Sequence, residues 1–140
     1  MTINIALVGA GRIGQVHAGA IAVAEGTRLV SVTDASAEAA HRIARRFDCR
    51  VTDSDNAIHA DDVTAVLIAT PTDTHAELIE QCARAGKAVF CEKPIDLDIT
   101  RVEACLAVVE NYRARLMVGF NRRFDPHFMA LKQAIDEGAR

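Results

Sequence analysis

No apolar run in this chain approaches the roughly 18 residues that a membrane-spanning helix requires, so the sequence offers no candidate span. The first residues lack the basic segment and cleavage site of an export signal and lead directly into a short apolar strand. The expectation is a cytoplasmic protein. A strong charge of one sign is also missing: acidic and basic residues are interspersed and the net charge is −3. That balance gives no electrostatic footprint for a nucleic acid or another polyanion. The four cysteines form no C-x-x-C, and no histidine stands at ligand spacing from a pair of them, so a zinc site is not expected. Cys82, Cys91 and Cys105 sit among apolar residues and read as reduced core thiols; Cys49, between Asp48 and Arg50, is undecided. No internal repeat, low-complexity tract or Pro/Gly/Ser linker divides the chain.

What is present describes one α/β domain. A chain of 140 residues buries about 70% of its unfolded surface, and half of its residues are hydrophobic and a quarter charged. Short apolar runs at Ile3–Val8, Leu29–Thr33, Ala65–Ala69, Ala88–Cys91 and Leu116–Val118, with a weaker one at Arg50–Thr52, alternate with longer segments. Several runs are apolar without alternation, as expected of parallel strands covered on both faces. The spacing predicts helices over 12–25, 36–47, 73–85 and 99–112, with at most a short turn over 54–59. Ser36 is a candidate N-cap, Thr74-x-x-Glu77 and Thr100-x-x-Glu103 match the capping-box pattern, and Gly86 is placed to follow a helix end. Asp125-Pro126 reads as a helix start, and Phe124, Phe128, Leu131 and Ile135 form one apolar stripe beyond it. Six strands in the order 3-2-1-4-5-6 would use up the chain as a doubly wound parallel Rossmann sheet.

Gly9-Ala10-Gly11-Arg12-Ile13-Gly14 is a G-x-G-x-x-G that follows a strand directly and opens a helix, the context that makes it a dinucleotide fingerprint. Gly9 permits the tight turn, Gly11 lets a pyrophosphate approach the backbone, and Gly14 lets helix and strand pack closely. The alternative is a glycine-rich turn without a ligand. Asp34 ends the second strand, twenty residues beyond Gly14. A carboxylate there accepts hydrogen bonds from the adenosine ribose hydroxyls and repels a 2′-phosphate, favouring NAD over NADP. No arginine follows it; Ala35 and Ser36 do. The plainer reading of Asp34 is a cap on the next helix.

Further along, Ala69-Thr70-Pro71-Thr72 leaves the fourth strand at the switch point where ligands bind in this topology. Thr70 and Pro71 are expected to line the cofactor, and His75 is either a site residue or a surface cap. Glu92-Lys93-Pro94 follows the fifth strand. Lys93 there points toward the crevice, where an ammonium lowers an alcohol's pKa and stabilises a developing alkoxide; the alternative is a solvated lysine. The Lys93–Pro94 bond is a candidate cis peptide. Asn121-Arg122-Arg123 follows the sixth strand, and its arginines reach either substrate hydroxyls or solvent. Asp125 and His127 fit a helix start better than a general base. His17, His41 and His59 have no partner at motif spacing and read as ordinary helix or surface residues.

Taken together, IALVGAGRIGQVHAGAI at 5–21, VSVTD at 30–34, ATPTDTHAELI at 69–79, VFCEKPIDLDI at 89–99 and VGFNRRFDPHF at 118–128 resemble the glucose–fructose oxidoreductase / inositol dehydrogenase / MocA-like family. The EKP after the fifth strand is its most specific mark, and the GFNRRFDP stretch is most similar to the inositol dehydrogenase branch. The resemblance implies that residues 1–120 form an NAD-binding domain and residues 121–140 a connecting loop and terminal helix. A second, open-sheet domain, which in the family supplies the substrate site and a tetramer interface, is absent from this sequence. It implies Gly9, Gly11, Arg12, Ile13, Gly14, Asp34, Thr70, Pro71, His75, Glu92 and Lys93 at the cofactor, Lys93 as the catalytic lysine, and Arg123 near the substrate. The family's Asp and His four residues apart, the His being the general base, lie beyond Arg140. The expected function is the NAD-binding part of a dehydrogenase acting on a cyclic polyol, with negligible turnover by itself. A sugar or sugar-phosphate dehydrogenase, or an NAD-binding module without turnover, is the alternative. A weak homodimer through the uncovered surface is expected, with the terminal helix docked on its own sheet.

Overall fold

The computed structural model describes residues 2–138. Six strands, β1 (Ile3–Val8), β2 (Thr27–Thr33), β3 (Arg50–Val51), β4 (Ala65–Ile68), β5 (Ala88–Cys91) and β6 (Leu116–Val118), form one sheet in the order β3-β2-β1-β4-β5-β6. Every pairing is parallel. The register sets Val8 beside Thr33 and Ile68, and Ile68 beside Cys91. The carboxyl ends of β2, β1, β4 and β5 therefore lie along one edge, where this topology places its ligands.

Side chains alternate across each strand, and the alternation divides the core in two. Leu7 and Val32 pack with Ala18 and Ile21 of α1 (Arg12–Val23) and Ala40 and Ile43 of α2 (Ala37–Phe47). Ala6, Val8, Val66, Ile68, Val89 and Cys91 face the other way, against α3 (Ser54–His59), α4 (His75–Arg84) and α5 (Ile99–Asn111). Each fully buried aliphatic chain of this kind contributes about 1.5–3 kcal/mol. On the α1–α2 side the helical cover thins beyond β1. Ile5, Ala65, Leu67, Ala88, Phe90 and Met117 line an open apolar trough of about 530 Å³ over β4–β6.

Local signals set the helix ends. The Ser36 hydroxyl accepts from the Ala39 N–H at 3.3 Å, and Arg45 and Arg46 lie in the last turn of α2, where they complement the helix dipole. The expected turn at 54–59 is a six-residue helix, started by the Asp53 carboxylate accepting from Asn56 N–H at 2.8 Å. Gly86 follows the Ala85 C-cap of α4.

Both capping boxes are corrected. Residue 74 has φ −104° and ψ −11°, helical rather than extended, because a 3₁₀ turn over Thr72–Thr74 runs straight into α4. Its hydroxyl contacts the Pro71 carbonyl and the Thr70 hydroxyl instead. At α5 the cap is Asp98, whose carboxylate accepts from the Thr100 N–H at 2.9 Å.

A larger correction concerns the terminal helix. α6 (Pro126–Asp136) starts where expected, with Asp125 accepting from His127 N–H at 2.9 Å. It does not dock on the sheet. None of its residues is buried, and Leu131 and Ile135 are 57% and 60% exposed. The helix follows β6 at the sheet edge through a 3₁₀ turn over Asn121–Phe124, and its stripe finds no apolar wall.

Candidate functional site

The glycine-rich turn is shaped by close backbone approach. Gly9 has φ +106°, a region that disfavours side chains, and a Cβ there would lie 2.5 Å from the Ala69 carbonyl oxygen. At Gly14 a Cβ would overlap the Gly9 carbonyl, so α1 reaches the turn only without a side chain. α1 begins at Arg12 with Gly11 as its N-cap, no side-chain cap and no acidic residue in its first turn. Helices α2, α3, α5 and α6 are each capped by a serine or aspartate side chain. The open, uncompensated N–H groups of α1 and the empty space beside Gly11 fit a phosphate.

Asp34 links this turn to the end of β2. One carboxylate oxygen accepts from the Ala10 N–H at 2.6 Å and the other from the Ser36 N–H at 2.7 Å. Each oxygen retains a lone pair for a hydroxyl donor. Gly9, Gly11, Arg12, Ile13, Asp34, Thr70 and Pro71 line one groove of about 1110 Å³, together with Asp53, Ser54 and Thr74 from neighbouring loops. The predicted glycines, Asp34 and the β4 loop are thus brought together. Asp53 and Ser54, at the start of α3, were not singled out from sequence, since only the β3–β4 crossover carries them to the groove.

A second cavity, about 570 Å³, opens beyond β5, lined by Lys93, Phe120, Asn121, Arg122 and Arg123. The two residues assigned to substrate, Lys93 and Arg123, share its wall although 30 positions separate them in the chain. The Lys93–Pro94 peptide is cis. The Arg122 guanidinium stacks 5.0 Å above the Phe128 ring.

Two histidines depart from the sequence reading. His75, expected at the cofactor, is buried with both ring nitrogens on backbone carbonyls, Nδ1 at 2.7 Å from Pro94 O and Nε2 at 2.8 Å from Thr70 O. It stands behind the groove wall and not in it, because α4 starts by turning this residue toward the sheet. His17, read as ordinary, donates from Nε2 to Glu92 Oε1 at 2.7 Å and meets Phe90 edge-on at 5.3 Å. The available signal was its place three residues after Gly14, one turn along the helix from the glycine that packs on the strand. Glu92, expected at the cofactor, spends one carboxylate oxygen on this contact.

The thiols take no part. Burial pushes Cys82 and Cys91 up to about 12, so neither is a thiolate near neutrality. Burial also raises Cys105 and Cys49. Among the described residues, no helix is long and apolar enough to cross a membrane.

Comparison with known proteins matches residues 3–120 to an oxidoreductase family with an NAD-binding Rossmann fold. The chain is 60% identical over 138 residues to an inositol 2-dehydrogenase of Rhizobium meliloti (strain 1021), covering 99% of this chain and 42% of that protein. Its fold is similar to the crystal structure of a scyllo-inositol dehydrogenase from Lactobacillus casei with bound NAD(H) and scyllo-inositol, with a TM-score of 0.92 and 34% identity over 99% of this chain and 42% of the other. It is also similar to a myo-inositol dehydrogenase from Corynebacterium glutamicum, with a TM-score of 0.88 and 40% identity over 98% of this chain and 41% of that one. The chain thus spans about 42% of the length of the first relatives it matches.

Proposed function

Because the chain belongs to the oxidoreductase family with an NAD-binding Rossmann fold, we propose that it forms the cofactor-binding part of an NAD-dependent dehydrogenase of a cyclic polyol, inositol being the favoured substrate. The observation that carries this reading is that the glycine turn, Asp34 and the β4 loop line one groove while Lys93 and Arg123 line a second cavity beyond the neighbouring strand β5. Both lie at the carboxyl ends of neighbouring strands, so one extended dinucleotide laid across those ends would reach from Asp34 toward Lys93. Inositol as the substrate is supported by the 60% identity to an inositol 2-dehydrogenase.

The residue roles follow from chemistry. Gly9, Gly11 and Gly14, with Arg12 and Ile13 at the start of α1, hold the pyrophosphate against free N–H groups. Asp34 accepts from the adenosine ribose hydroxyls and selects NAD over NADP. Thr70 and Pro71 line the path toward β5. NAD supplies the acceptor for the hydride of a CH–OH carbon. Lys93 would donate an N–H to the reacting hydroxyl oxygen, lowering the alcohol's pKa and stabilising the alkoxide as it develops, while the hydroxyl proton would pass to a general base supplied by the second domain. Arg123 donates to neighbouring hydroxyls and orients the ring.

Residues 1–120 carry the cofactor in this reading. Residues 121–140 are a connecting loop and terminal helix leading toward a substrate and oligomerisation domain, and the exposed stripe of α6 supports that assignment. A cytoplasmic location and a tetramer of the longer protein belong to the same proposal.

The test is a titration with NAD+ followed by an inositol oxidation assay. Saturable binding with negligible turnover by this chain, and turnover in a protein extended by a second domain that Lys93→Ala removes, is the expected pattern. Near-normal turnover after Lys93→Ala overturns the role of the lysine. Binding with no turnover in the extended protein favours a cofactor-binding module.

A further inference from the structure

Lys93 is exposed at the end of a strand, yet the residues on both sides of it are anchored. Glu92 is anchored by its side chain. Its carboxylate is held by His17 of α1 and backed by Gly119, where a Cβ would come 3.4 Å from the Glu92 carboxylate. Pro94 is anchored through its carbonyl, which lies 2.7 Å from Nδ1 of His75 in α4. The same His75 ring also reaches the Thr70 carbonyl. A carbonyl oxygen only accepts, so the imidazole N–H donates to one of the two carbonyls and the ring stands between both. The two histidines come from different helices and opposite faces of the sheet.

The anchoring points are not arbitrary. α1 is the helix whose free N-terminus faces the groove, and Thr70 is part of the groove wall. Each histidine therefore ties the Lys93 segment to an element that meets the dinucleotide. We infer that His17 and His75 are positioning residues that hold Glu92 and Pro94, and so set Lys93 in register with the nicotinamide end of the groove. The inference rests on the proposed NAD-binding role and adds to it a pair of residues that touch neither cofactor nor substrate. The geometry is directional. In this topology Asp34 marks the adenosine end, and the ends of β4 and β5 lie toward the other half. Loosening the 92–94 segment therefore disturbs one half of a bound dinucleotide and leaves the other in place.

That asymmetry separates positioning from general stability. NAD+ and ADP-ribose share the adenosine, pyrophosphate and second ribose, and only NAD+ carries the nicotinamide. In calorimetric titrations, His17→Ala is expected to weaken NAD+ binding about tenfold, the scale of a lost hydrogen bond to a charged group. ADP-ribose affinity should stay within about twofold. His17→Gln, which keeps a donor toward Glu92, is expected to recover most of the loss. His75→Gln keeps a donor for one carbonyl and should show a smaller loss of the same NAD+-selective kind. It also replaces His75→Ala should that variant not fold. Equal weakening of both ligands, or no change in either, overturns the positioning role.

Amide hydrogen exchange gives a reading that needs no ligand. The Glu92 N–H donates to the Ile68 carbonyl at 2.9 Å, inside the anchored segment. His17→Ala should speed exchange at Glu92 by about tenfold, the release of one such hydrogen bond, and leave the amides of β1 unchanged. Unchanged exchange at Glu92 overturns the clamp even if the unmodified chain binds NAD+. If the unmodified chain binds neither ligand while Glu92 exchange responds as expected, the NAD reading fails and the clamp stands.

Discussion

The two halves of the sheet's α1–α2 face are finished differently. Over β1 and β2 the chain covers its own apolar surface: Ala18 and Ile21 of α1 and Ala40 and Ile43 of α2 close on Leu7 and Val32, and all six are buried. Over β4–β6 the same face is an open trough, with Met117 half-exposed, and α6, which follows β6, presents Phe128, Leu131 and Ile135 to solvent. The covered half carries the glycine turn and Asp34, whereas Lys93 and Arg123 follow β5 and β6, strands of the uncovered half. On the function proposed above, the contrast teaches that the adenosine side of the groove rests on a complete core. The β4–β6 side retains apolar surface still able to take a partner. Exposed apolar patches of a few hundred Å² mark such surfaces.

The comparison breaks first on stability. Ile43→Ala, in the covered half, is expected to cost about 3 kcal/mol, within the range for a buried isoleucine. Met117→Ala, in the trough, should cost less than about 1 kcal/mol, since its side chain is half-exposed already. Urea denaturation of both variants measures the difference. Equal costs would mean that the trough is closed in solution.

Association sharpens it. A weak, concentration-dependent homodimer is expected through the uncovered half, visible by sedimentation across a concentration series. Leu131→Lys together with Met117→Lys should reduce it, Leu131→Lys changing stability by less than about 0.5 kcal/mol as surface substitutions do and half-buried Met117→Lys by about 1 kcal/mol. A dimer untouched by both substitutions would place the contact elsewhere. A tetramer at low concentration would mean that its interface lies in these residues.

The smallest effect belongs to the outer helices α4 and α5. Burial pushes the Glu80 carboxyl up, but hydrogen bonds and charge from Arg101 and Arg84 outweigh it and leave the group below its ordinary 4.5. Folding therefore holds Glu80 ionised to lower pH than the unfolded chain does. The resulting stability is fully present above about pH 4.5 and fades as pH falls through the lower folded value. Glu80→Gln should flatten the acid limb of the stability curve below that pH. An acid limb as steep as that of the unmodified chain would show that Glu80 contributes nothing to it.

Much of this architecture was legible in the residues. Apolar runs of three to six residues marked the strands because parallel strands buried on both faces admit little else, and the glycine spacing identified its turn because only glycine fits at Gly9 and Gly14. The cavity shared by Lys93 and Arg123 followed from two adjacent strand ends. The misses have a common cause. Capping boxes and stripes are local patterns, while what a residue meets is tertiary. Thr74 matched a box and lost the role to a 3₁₀ turn. The stripe of α6 predicted an apolar partner, and local spacing could not say that its own sheet is not that partner. His17 lies 75 positions from Glu92, beyond any motif window. His75 was assigned to the ligand because its segment borders the groove, but the direction of its ring depends on where α4 begins.

The central claim is that the groove between the glycine turn and Asp34 binds NAD and selects it against NADP. The most direct measurement is a parallel calorimetric titration of the chain and of Asp34→Ala with NAD+ and NADP+. The account predicts one saturable NAD+ site on the unmodified chain, preferred over NADP+ by about tenfold or more, as expected for a carboxylate facing the 2′ position. In Asp34→Ala it predicts weaker NAD+ binding and a narrowed preference. Equal affinity for the two cofactors in the unmodified chain, or no saturable NAD+ binding, would contradict it.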